Sequence, residues 1–132
     1  MAIIDELVRT REAAWIATRR DLHRHPELGF TELRTASRVA QRLTALGFDV
    51  QVGGDVMHSD AMRGVPPQAQ LDAHAAALRG DNEAASWMAR MPGGQTGVVA
   101  RLTRGAGPIS AYRFDMDALP IPESSEQGHK PV

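Results

Sequence analysis

The stretch Ile109-Ser-Ala-Tyr-Arg-Phe-Asp115-Met-Asp117-Ala-Leu-Pro120-Ile-Pro-Glu123 is a short β-prone run that ends in two carboxylates and then two prolines. It reads as a buried strand that delivers acids to its C-terminal edge. Open α/β sheets bind ligands beyond the carboxyl ends of their strands, and two aspartates at i and i+2 on extended backbone face the same way. Asp115 and Asp117 are therefore candidate residues for metal or proton chemistry. Asp-x-Asp after a strand is also an ordinary turn or capping signal, so the surrounding chain has to decide.

Working outward, Thr96-Gly-Val-Val-Ala-Arg-Leu-Thr103 is β-prone and is joined to the acid-ended run by the turn Arg104-Gly-Ala-Gly-Pro108. A short turn between two strands predicts an antiparallel hairpin within a mixed sheet. Upstream, Phe48-Asp-Val-Gln-Val52 alternates apolar with polar residues and stops at Gly53-Gly54, as a half-buried strand does. A helix should precede it, with Ala36, Val39, Ala40, Leu43 and Leu46 on one face, Thr31 as cap and Gly47 as C-terminal stop. Another amphipathic helix is expected over 3–22, from the spacing of Ile4, Leu7, Val8, Trp15 and Leu22, ending before His25-Pro26. Between Asp55 and Pro92 the character changes to Pro66-Pro67, an alanine-rich run around His74, and a second helical piece near Glu83–Arg90 containing Trp87. This reads as a helical insert that packs on something, either as an inert decoration or as a cover over a site.

Several function classes are excluded or disfavoured. The 132 residues suit one modest domain, and 16 acidic against 15 basic residues leave no strong field to attract nucleic acid or an anionic membrane. Small polar substrates remain open. Cysteine is absent, which rules out disulfides and thiolate sites within these residues and fits a reducing, cytoplasmic setting. No apolar run approaches the roughly 20 residues of a membrane span. His23 and His25 alternate as zinc ligands can, but a charge at a helix C-terminus and a hydrogen-bonded loop histidine are the commoner uses. His58 and His74 have no acidic or histidine partner at metal spacing. The tail Ser124–Val132 shows no periodicity and no cap, and only fifteen residues follow Asp117.

Taken together, Asp21-Leu-His-Arg-His-Pro-Glu-Leu-Gly-Phe30, Thr35-Ala, Leu46-Gly, Thr96-Gly-Val-Val-Ala100 and Tyr112-Arg-Phe-Asp-Met-Asp-Ala-Leu-Pro120 form an ordered set of motifs. The set resembles the N-terminal part of the metal-dependent N-acyl-amino-acid amidohydrolases, a metallopeptidase group that includes aminoacylase and carboxypeptidase G. The insert, from Gly54-Asp-Val through Met62-Arg-Gly-Val-Pro66 and Trp87-Met-Ala to Gly93-Gly94, narrows the likeness to the branch acting on p-aminobenzoyl-glutamate. The resemblance covers essentially the whole chain but only about the first third of such a protein.

What the resemblance implies is an incomplete three-layer α/β/α catalytic domain with a mixed sheet, to which this chain supplies two long helices, at least three strands and the insert. The remainder of that domain, and a dimerisation domain, would lie outside it. The implied reaction is hydrolysis of an N-acyl amino acid by water activated between two divalent ions, manganese or zinc, with a glutamate as base. Asp117 matches the carboxylate that orients a metal ligand. Asp115 stands where the broader group has a metal-binding histidine, and no ligation is carried onto it. The branch's Cys-Gly-His-Asp segment, Glu-Glu pair and further histidines are not in this chain, so the isolated chain is expected to bind no metal tightly and to be inactive. The complete enzyme is expected to be a homodimer or heteromer. Two alternatives stand beside this reading: a non-catalytic truncated or split piece that serves in binding or assembly, and a phosphatase of the haloacid dehalogenase type with Asp115 as nucleophile and Asp117 as acid/base.

Overall fold

The computed structural model describes residues 2–121, in the order α1 (Ala2–Arg24), α2 (Leu33–Ala45), β1 (Asp49–Val52), α3 (Gln68–Ala77), α4 (Asn82–Met88) and β2 (Val98–Arg101), with single 3-10 turns between them. The tail from Ser124 onward lies outside the described residues. The chain divides into two compact units, one comprising residues 1–26 and 120–132 and the other residues 27–119. The first unit contributes α1, which extends two residues past the expected Leu22 and gives way at His25-Pro26. There the His25 N–H bonds to the Leu22 carbonyl, and proline at 26 keeps His25 out of the helical region.

In the second unit α2 is central and packs against both strands and against α4. Its C-terminus follows the local signal in the sequence. Gly47 takes φ 84°, the Gly47 N–H bonds to the Thr44 carbonyl, and the Phe48 N–H reaches back to the Leu43 carbonyl. These paired bonds satisfy carbonyls that a helix end leaves open, and they require the left-handed residue that glycine supplies. The N-terminus departs from expectation. Thr31 does not cap the helix; its Oγ1 donates to the Leu28 carbonyl at 2.7 Å, and the helix N–H groups are satisfied by a carboxylate further back.

β1 alternates as expected, with Asp49 and Gln51 exposed and Val52 buried. Its partner is β2, antiparallel, in the register Asp49↔Arg101 to Val52↔Val98. This corrects the expected hairpin between 96–103 and 109–117. β2 pairs with β1 along one edge, and among the described residues 109–117 belongs to no strand. The expected three strands reduce to two, plus one isolated parallel bridge between Leu28 and Ala118. Turn chemistry between two β-prone runs sets how easily they can pair; which strand wins depends on packing contributed from elsewhere.

The core consists of Leu33, Ala36 and Ala40 of α2, Val52 of β1 and Met91, with Val50, Ala75, Leu78, Trp87, Met88, Val98 and Met116 packed against it. The insert does pack on something: Leu78, Trp87, Met88 and Met91 bring its apolar side onto α2 and the sheet. Burial on α2 is concentrated at its start rather than along the whole expected stripe. Leu33 to Ser37 are all buried, whereas Leu46 is exposed. A helix buried all round its first turn must satisfy every polar group there, and that requirement shapes the candidate site.

Candidate functional site

Three buried polar ties radiate from the start of α2. Glu27, 5% exposed, places its carboxylate over the helix N-terminus: Oε1 accepts the Arg34 N–H at 3.0 Å and Oε2 the Thr35 N–H at 2.8 Å. Negative charge there complements both the open donors and the helix dipole. Oε1 also accepts from His74 Nε2 of α3 at 2.9 Å, and since a carboxylate only accepts, His74 carries a proton on that nitrogen. Glu32 Oε2 accepts from Thr96 Oγ1 at 2.7 Å, between two buried residues, just ahead of β2. Arg34 Nε donates to Asp81 Oδ2 at 3.0 Å in the turn between α3 and α4. The insert is thus tied to α2 by His74 and Asp81, and β2 by Thr96.

The acid-ended segment is held by the same loop. The Ala118 N–H donates to the Glu27 backbone carbonyl at 2.7 Å, and Ala118 bridges Leu28. Met116 packs against the core, while Asp115 and Asp117 on either side of it are exposed. The two-residue alternation expected of a strand is therefore present without the strand: Met116 faces in and both carboxylates face out. Asp115 is paired with Arg113 at 2.6 Å in the open. Tyr112 and Phe114 are both 80% exposed, so the apolar face that continues from Met116 is uncovered.

The donor set does not make a metal site. Among the described residues no three His, Cys, Asp or Glu side chains converge, and Asp115 and Asp117 are two carboxylates without an imidazole. His25 is a hydrogen-bonded loop histidine, one of its two commoner uses: its Nδ1 lies 2.8 Å from the Asp21 carbonyl and 3.5 Å from the Asp21 carboxylate. His74 has no partner at metal spacing in the sequence, but the fold gives it an acidic one in Glu27, forty-seven positions upstream. Glu27 and Glu32 carry no mark of their role in the sequence. A cap supplied from seven residues before the N–H it serves matches no local capping pattern, and the only signal is the place of Glu27 inside the His25-Pro-Glu-Leu motif.

Indole-3-acetyl-aspartic acid hydrolase of Enterobacter agglomerans is 37% identical over 132 residues, a match taking in 99% of this chain and 30% of that protein. The chain is homologous to a stretch of such hydrolases. One of the subunits of p-aminobenzoyl-glutamate hydrolase from Escherichia coli is 39% identical over 114 residues, 86% of the chain and 26% of that relative. The crystal structure of an aminobenzoyl-glutamate utilization protein from Klebsiella pneumoniae shares the fold with a TM-score of 0.83 at 40% identity, covering 87% of this chain and 30% of that one. No protein-family model matches. The chain thus spans under a third of the length of these relatives, and its α/β arrangement matches that of the Klebsiella structure over the aligned stretch. Among the described residues no helix is long and apolar enough to cross a membrane.

Proposed function

We propose that these residues form the acid-bearing portion of an amidohydrolase that cleaves N-acyl amino acids with an aromatic acyl group, in the manner that the names of the aminobenzoyl-glutamate and indole-acetyl-aspartate relatives describe. Asp117 acts as the carboxylate that orients a catalytic group, and Asp115, already engaged by Arg113, plays a lesser part. The observation that carries this reading is the anchoring of the segment: Met116 against the core and Ala118 on the Glu27 carbonyl flank Asp117 and leave its carboxylate exposed. Metal dependence belongs to the proposal through the resemblance, with the ligands and the base supplied from outside these residues. A complete enzyme built from more than one polypeptide is consistent with the Escherichia coli relative, whose name makes it one component of a multi-subunit hydrolase.

The test is a chimera in which this chain replaces the matched stretch of the Enterobacter hydrolase. Hydrolysis of indole-3-acetyl-aspartate should persist, with kcat/KM within about 100-fold of the parent, a loss of roughly 2.7 kcal/mol. A chimera that melts cooperatively yet shows no turnover above the blank would contradict the proposal.

The uncovered Tyr112 and Phe114 favour a second reading, in which the segment is foremost an assembly surface. In that case a chimera carrying Tyr112→Ser and Phe114→Ser would lose its quaternary structure rather than its chemistry.

A further inference from the structure

Between the start of α2, α3 and the Pro92-Gly93-Gly94 turn lies a cavity of about 160 Å³ with no part in the acid-ended segment. Phe30, Leu33, Leu71, Ala75, Met88 and Met91 form its walls. Its size is that of one six-membered ring, since an apolar cavity of roughly 150 Å³ takes up benzene, and it is too small for a bicyclic or drug-sized ligand. The backbone of the walls is closely fitted at Phe30 and Gly94. Phe30 has φ 67°, in the left-handed region, as do Gly93 (61°) and Gly94 (79°). A Cβ on Gly94 would come within 3.1 Å of the Phe30 Cβ and 3.2 Å of its carbonyl oxygen.

The wall chemistry selects an aromatic ring over an alicyclic one. Two methionine side chains and a phenylalanine line the cavity, and thioether sulfur and ring edges both contact aromatic rings favourably. Charge at the mouth selects further. Asp72 lies on the rim, exposed, with Oδ1 held by Gln68 Nε2 at 2.8 Å. The other ionisable lining group, His74, is committed to buried Glu27 through Nε2. Among the described residues no lysine or arginine lines the cavity. A carboxylate rim without a cationic counterpart favours a protonated amine and disfavours an anion.

We infer that this cavity is a binding site for a small aromatic amine, the ring seated between Phe30, Met88 and Met91 and the ammonium group at Asp72. This site is independent of the hydrolytic reading of Asp117.

The experiment titrates the chain with benzylamine and follows the methionine methyl signals by NMR, with benzoate as the probe of equal ring size and opposite charge. The expected result is saturable shifts at the Met88 and Met91 methyls, with Met62 silent, and no comparable response to benzoate. Asp72→Asn, an exposed change that leaves the fold intact, should weaken benzylamine about two- to fivefold, the scale of a surface charge pair. Ala75→Leu, which fills the cavity from α3, should abolish the shifts. Shifts that fail to saturate, or that spread equally over all methionines, would overturn the site; equal binding of benzoate, or indifference to Asp72→Asn, would overturn the amine as its ligand.

Discussion

Glu27→Ala is expected to destabilise the 27–119 unit by about 2–5 kcal/mol, the cost of leaving two buried helix N–H donors without their charged acceptor. The carboxylate it removes is almost wholly enclosed and serves three donors on two elements, the Arg34 and Thr35 N–H groups of α2 and His74 Nε2 of α3. The Arg34 and Thr35 N–H groups, buried at the start of α2, would lose their acceptor, whereas the half-buried imidazole of His74 could turn to solvent. Glu27→Gln should cost less, because one oxygen remains as an acceptor while the new amide nitrogen faces donors. His74→Ala should be milder again, since it leaves the helix cap intact. Denaturant unfolding with a shared m-value gives the three differences. The loop that presents this carboxylate also holds Ala118 through the Glu27 carbonyl at 2.7 Å. Hydrogen exchange at the Ala118 amide should therefore accelerate in Glu27→Ala by more than at β1 or β2 amides. Equal acceleration everywhere would mean that the loop and the acid-ended segment are not specifically coupled.

The second large effect is at Gly53, where Gly53→Ala should cost about 2–5 kcal/mol while Gly54→Ala, its immediate neighbour, should stay within about 1 kcal/mol. Gly53 has φ 64°, which burdens any L side chain by about 1–2 kcal/mol. In addition a Cβ there would fall 1.9 Å from the Arg90 carbonyl oxygen and 3.0 Å from its carbon, with the Met91 Cα at 3.4 Å. Those are backbone atoms leading into Met91, which is buried in the core, so relief requires moving the end of the insert. Overpacking of that kind typically adds about 1–3 kcal/mol. At Gly54 the nearest atoms are the end of the Gln95 side chain at 3.7 Å, and φ is not left-handed. Thermal melting of the two variants beside the parent separates the cases; similar losses in both would mean that glycine is needed at this turn only for its flexibility.

The difference between these two glycines bears on what a sequence can reveal. Gly53-Gly54 reads plainly as the end of a strand, and so it is, yet nothing local says that one of the pair faces a carbonyl thirty-seven positions away. The same division runs through the whole chain. Gly47 stops α2 through bonds that span six residues, and the alternation of Asp49-Val-Gln-Val52 reflects one strand's own two faces, so both were legible. The helices of the insert were legible from alanine content and spacing. The pairing of β2 with β1 was not, because it joins residues about fifty positions apart and is made by packing rather than by a local turn.

The candidate site was half legible for the same reason. Asp115 and Asp117 are marked by their abrupt position after a β-prone run, and the i, i+2 spacing does put both on the open side with Met116 between them, even without strand pairing. What anchors them was hidden. Glu27 acts on residues seven and eight positions on through its side chain and on Ala118 through its carbonyl, and His74 reaches it from an alanine-rich helix that carries no local hint of that contact. The motif His25-Pro-Glu-Leu and the motif Asp115-Met-Asp-Ala-Leu are thus two sides of one structural joint, which explains in physical terms why both belong to the same set of residues.

The role of Asp117 is measured most directly by steady-state kinetics of Asp117→Asn and Asp115→Asn in the Enterobacter chimera. Both carboxylates are exposed, so neither change should shift the melting temperature. Asp117→Asn should lower kcat about 10- to 100-fold, the usual cost of removing a group that orients a catalytic ligand, and Asp115→Asn should change it by less than about threefold, the effect of losing one surface ion pair. Unchanged kcat in Asp117→Asn, or a loss confined to Asp115→Asn, would contradict the assignment.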